Sequence, residues 1–118
     1  MTKIIYILIF ILTIAKSANA QVANPTTIIF DHSDFAITTS YSVGYFSSLT
    51  STTPVQEATF NKPSTCNPCT GLLPSRPTAF QTWYVGVRAI SGTSTSAWSA
   101  PLIPFVRVVE TPTNVRVQ

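Results

Sequence analysis

The chain has 118 residues, with seven Lys or Arg against four Asp or Glu, one histidine and a formal net charge of +3. Two of the basic residues, Lys3 and Lys16, fall in the first twenty positions, and the rest of the chain sets Lys62, Arg76, Arg88, Arg107 and Arg116 against Asp31, Asp34, Glu57 and Glu110, a net of +1. Five scattered cations cannot neutralise a run of phosphates, so a nucleic-acid partner is excluded.

Residues 1–20 read as a secretory signal peptide. Lys3 opens it, Ile4 to Ile14 form an apolar core, and Ala18-Asn19-Ala20 supplies small residues at a cleavage site before Gln21. Lys16 interrupts the apolar run well short of the roughly 20 residues that a spanning helix needs, so no membrane insertion is expected after cleavage. The expected destination is outside the cytoplasm, either secreted or in the cell envelope. The remaining 98 residues suffice for one small domain. Rich in Thr, Ser, Val, Ile and aromatics, and without a helical apolar stripe, they predict an all-β domain over 21–110, followed by a tail over 111–118.

In chain order, Gln21 to Pro25 is a lead-in. Thr26 to Phe30 is a β-branched strand with Ile28 and Phe30 on one face, and the polar turn Asp31-His32-Ser33-Asp34 ends it, its aspartates expected to cap backbone amides. In Ser40 to Phe46 the residues Tyr41, Val43 and Tyr45 face inward, and Ser42 and Gly44 face solvent. Val55 to Phe60 is a more polar strand suited to an edge. Asn61 to Thr78 holds four prolines and both cysteines, which leaves room only for a short edge segment at Leu72-Leu73. Thr82 to Ile90 is the strongest strand, with Trp83, Val85, Val87 and Ala89 on one face. The turn Ser91 to Ser96 leads to a last strand, Leu102 to Val109, entered through Pro101 and Pro104. Short strands between turns at intervals of about 8–12 residues predict an antiparallel β-sandwich.

The sharpest motif is Cys66-Asn67-Pro68-Cys69. This spacing serves thiol-disulfide oxidoreductases when a helix follows and lowers the first thiol's pKa, but here turns and prolines surround it. A structural disulfide between Cys66 and Cys69 is the expected arrangement in an exported chain. His32 stands alone as an imidazole, and neighbouring side chains along a strand end diverge, so neither a metal site nor a Ser-His-Asp catalytic group is expected there. Trp98 and Tyr84 are the aromatics that could face a ligand such as a sugar ring, with core or edge packing as the alternative.

The run TWYVGVRAISGTSTSAWSAP resembles the penultimate strand, turn and last-strand entry of fibronectin type III domains, through Trp83, Val85, Val87, Ala89, Gly92, Trp98, Ser99 and Pro101. Tyr41, Val43 and Tyr45 are similar to the third strand of that family, and Phe30 stands where the family buries a second-strand tryptophan. The resemblance implies an immunoglobulin-like sandwich of fibronectin type III topology. Three positions depart from it: Trp83 replaces a corner tyrosine and alters or removes its hydrogen bond, prolines fill Asn61 to Thr78, and the lead-in is too short for a full first strand. The tail Thr111 to Gln118 is similar to the opening strand of a following module, or could pair in the edge left vacant. Family analogy implies an exported, non-catalytic interaction or spacer module that contacts protein or polysaccharide and uses no cofactor. The alternatives are a small thiol-disulfide enzyme on Cys66 and Cys69, or a carbohydrate-binding module using Trp98.

Overall fold

Two runs of alternating apolar residues organise the molecule, whose computed structural model describes residues 21–118. The expected signal peptide, residues 1–20, lies outside the described residues. The strands are β1 (Val22–Ala23), β2 (Thr27–Phe30), β3 (Ser40–Phe46), β4 (Gln56–Asn61), β5 (Cys69–Leu72), β6 (Thr82–Ser91), β7 (Ser94–Thr95) and β8 (Ile103–Val106). A short 3-10 turn spans Phe35–Ile37. One sheet runs in the order β1-β8-β6-β3-β4, with β7 paired to β6; the other contains only β2 and β5. Every pairing is antiparallel except that of β1 with β8. The chain is an all-β sandwich of two sheets.

β3 pairs with β6 over its whole length, from Ser40 opposite Ile90 to Phe46 opposite Tyr84. This register puts Tyr41, Val43 and Tyr45 on the same face as Trp83, Val85 and Val87. With Phe105 and Leu73 they form the buried core, against which Ile28 and Phe30 of the small sheet pack. Phe30 meets Tyr41 edge-on at 4.9 Å between ring centres. The Tyr45 hydroxyl donates to the Pro74 carbonyl at 2.6 Å, which satisfies the one polar atom that this ring brings into the core. Trp83 Nε1 donates to the Ala79 carbonyl at 3.1 Å, which ties the turn before β6 to the strand.

Five expectations need correction. The lead-in is not featureless: Val22 and Ala23 pair in parallel with Phe105 and Val106. That pairing occupies the outer edge of β8. The tail does not pair there or elsewhere among the described residues, and Glu110 to Gln118 are exposed. The last strand stops at Val106, because the Arg107 amide turns to the Gln81 carbonyl and the Val108 amide to Asn24 Oδ1. Ser42 and Gly44 are buried rather than wet, since another part of the chain covers the second face of β3. Finally, no side-chain cap forms at Asp34; its carbonyl instead accepts from the Thr38 hydroxyl at 2.8 Å.

Candidate functional site

Three places bring together the residues that the sequence singles out. The first is the outer face of the large sheet. Gly44 and Gly86 lie directly opposite each other there and leave a gap in the side-chain layer. Trp98 fills it: a Cβ on Gly44 would lie 2.9 Å from the indole, and one on Gly86 would lie 2.8 Å from Leu102. β6 holds this cover in place through two serines. The Ser96 hydroxyl accepts from the Ala89 amide at 2.9 Å, and the Ser99 hydroxyl accepts from the Val87 amide at 3.0 Å. These hydroxyls continue the ladder where the strand breaks between β7 and β8, and Trp98 sits between them. Its ring meets Phe46 edge-on at 5.4 Å and carries the Arg88 guanidinium 4.4 Å above it.

Arg88 also reaches the Glu57 carboxylate at 2.6 Å, and the buried Ser42 hydroxyl donates to the same oxygen at 2.6 Å. Burial works to raise the Glu57 carboxyl, but the Ser42 and Arg88 hydrogen bonds and the Arg88 charge together hold it below the usual value. Ser42, Glu57, Arg88 and Trp98 thus form one layered cover. The sequence gives no sign of it, because its members come from four separate segments. The cavity beside Trp98, about 330 Å³, is also lined by Phe46, Leu49 and Leu102, and Tyr84 is not part of it. The two candidate ligand-facing aromatics therefore do not form one platform, and each is half-buried.

The second place is the cysteine loop. Cys66 and Cys69 are bonded to each other as a disulfide. Cys69 is buried as the first residue of β5, opposite Phe30, and strand rather than helix follows it. No helix dipole is therefore available to stabilise a thiolate at this motif. Asn67, between the cysteines, accepts the His32 backbone amide on Oδ1 at 3.1 Å and ties the loop to the turn after β2. His32 Nδ1 and the Tyr41 hydroxyl are hydrogen-bonded at 2.9 Å. Burial raises the Tyr41 pKa, and its hydrogen bond with Thr38 opposes that rise. His32 thus serves to satisfy a buried phenol. Among the described residues no group of three His, Cys, Asp or Glu could hold a metal ion.

The third place was not among the sequence's candidates. A groove of about 480 Å³ lies between the small sheet and the β8 side of the large one. All four β2 residues, Thr27 to Phe30, line it. Successive strand residues point to opposite faces, so a groove that touches all four must run along the strand's edge. Val85, Val87, Leu73 and Phe105 form its floor, and Ile103 and Pro104 form its far wall. Ile29 is 66% exposed and Ile103 is 56% exposed, giving the groove apolar rims.

The edge itself carries free backbone groups. The Leu73 amide donates to the Thr26 carbonyl at 2.9 Å, which sets the phase of the β2–β5 ladder. By the alternation of an antiparallel pair, Ile28 and Phe30 bond toward β5, and the amides and carbonyls of Thr27 and Ile29 point to the opposite edge. Among the described residues β2 has no neighbour on that side. In the sequence the β-branched run Thr26 to Phe30 marks the strand, but nothing local marks which of its edges stays free.

No family model matches this chain, and no curated protein or solved structure is significantly similar to it. Among the described residues no helix is long and apolar enough to cross a membrane.

Proposed function

We propose that this chain is an exported, non-catalytic interaction module of fibronectin type III type that binds an extended protein segment along the free edge of β2. The groove beside β2 carries this reading: it offers unpaired backbone donors and acceptors above an apolar floor, the combination that strand addition uses for affinity and for side-chain selection. A strand added there would complete the small sheet at the position the short lead-in leaves empty. The type assignment is supported by the strand order of the large sheet, by the Trp83 corner bond and by Phe30 packing on Tyr41. The disulfide fits an oxidising compartment.

A protein segment fits this groove better than a polysaccharide does. A sugar ring needs an exposed aromatic face, whereas Trp98 is engaged by Phe46 and Arg88. A thiol-disulfide enzyme would need its first thiol, Cys66, at a helix start, and here the motif runs into strand β5 instead. The test is amide chemical-shift mapping with short peptides that alternate valine and threonine. Shifts confined to Thr27–Phe30 and Ile103–Phe105 are the expected result. Shifts around Trp98 with a glycan panel, or insulin reduction lost on Cys66→Ser, would replace this reading with one of the other two.

A further inference from the structure

The groove and a strand of the right kind to fill it occur in the same chain, both unused. Val115 and Val117 are 78% and 96% exposed, and the residues from Glu110 onward join no strand. Val115 to Gln118 alternates apolar and polar, with the valines two residues apart as an inward-facing strand edge requires. Its four residues equal the length of β2. Asn114 sits at φ 55°, a turn conformation that marks where such a strand would begin.

The root of this tail is fixed. Arg107 is bonded to Pro77, Gln81 and Asn24, and Asn24 holds both backbone groups of Val108. Glu110 reaches Arg76 at 3.5 Å and Arg107 at 3.4 Å. Through these contacts the tail departs from the end of the sandwich where β2 begins, and it leaves its own groove open.

Resting on the strand-binding reading, we infer that the tail segment Val115–Gln118 of one copy adds to β2 of a second copy, with Val115 and Val117 entering the groove. Arg116 then lies on the outward face with Ile29, beside the acidic turn Asp31–Asp34, whose carboxylates form none of the ion pairs among the described residues. That charge pairing favours the tail over a neutral strand. The contact is head-to-tail, so each added copy offers a new groove and a new tail, and growth continues unless the copies close a ring. An edge of four residues is small, so association on the order of tens to hundreds of micromolar is expected.

Sedimentation velocity on the chain beginning at Gln21 tests this. The weight-average sedimentation coefficient should rise with concentration. Val115→Glu/Val117→Glu should weaken association at least roughly tenfold without disturbing the fold, because these side chains are exposed. Ile29→Pro should do the same from the other side, since proline is tolerated where the strand amide faces outward and it removes one of the free donors. Near-ultraviolet circular dichroism confirms that each variant is folded. A mixture of the two variants should form a 1:1 complex that grows no further, because only one intact tail and one intact groove remain.

A wild-type chain that stays monomeric across the range overturns the inference, as does association that survives both variants. Amide protection at Thr27 and Ile29 in the dilute monomer overturns it too, by placing the tail in its own groove. If the tail fails but valine–threonine peptides still shift Thr27–Phe30, strand binding stands with another partner. If neither binds, both readings fall.

Discussion

The outer face of the large sheet and the free edge of the small one present the same problem and meet opposite fates. Each exposes apolar surface that water disfavours. Over Gly44 and Gly86 the chain provides its own cover: two serines pin the β7–β8 connection to β6 and hold Trp98 against Phe46. Beside β2 the described residues provide none: Val22 and Ala23, which lie just before it in the chain, pair with β8. A surface closed from within contributes stability, whereas one left open is available for binding.

This contrast can be broken most sharply at Trp98. Trp98→Ala strips the cover from Gly44 and leaves Arg88 stacked on nothing, so chemical denaturation should show a loss of about 2–4 kcal/mol. By contrast, Ile29→Ser on the open edge should change stability by less than roughly 0.5 kcal/mol. If the two losses were equal, the groove would be as much a part of the folded core as the covered face.

Alkaline titration sharpens the core side of the comparison. Burial pushes the Tyr45 hydroxyl up to about 12, against the opposing charge of Arg76. The folded state therefore holds this proton more tightly than an unfolded tyrosine, which releases it near 10. Its contribution is complete below about pH 10 and is lost as pH rises towards 12, a change on the order of 2 kcal/mol. Denaturation midpoints measured from pH 9 to 12 should fall accordingly, and Tyr45→Phe should flatten the fall.

On the covered face the acid side behaves in reverse. Glu57 is held below its usual value, so its contribution is present above the unfolded glutamate pKa of about 4.3 and is lost as pH falls through the folded value. Glu57→Gln should cost roughly 1 kcal/mol at neutral pH and reduce the loss of stability in acid, both read from urea unfolding. A modest effect is also expected at the cysteine loop. Cys66→Ser/Cys69→Ser opens a closure of only a few residues and should lower stability by about 1–2 kcal/mol at most. The Thr27–Phe30 edge should keep its hydrogen exchange unchanged in that variant.

The two central strands and their inward faces were legible because a period of two in side-chain chemistry survives in any run long enough to count. Tyr41, Val43, Tyr45, Trp83, Val85 and Val87 all lie where the alternation puts them. The cysteine pairing was readable from spacing and context. The cover formed by Ser42, Glu57, Arg88 and Trp98 was not, for these residues are separated by up to 56 positions and no local pattern links them. His32 read as part of a polar turn, and only the packing of Phe30 on Tyr41 brings its ring to the buried phenol.

The sequence by itself determined that the chain forms strands and which faces of β3 and β6 turn inward, because local chemistry and strand period need no knowledge of neighbours. Only the tertiary structure decided that Val22 and Ala23 go to β8 and leave one edge of β2 open among the described residues, and that Trp98 closes the outer face of the large sheet. Those outcomes depend on which distant segments meet, and that is settled by long-range pairing and burial rather than by anything encoded within a few residues.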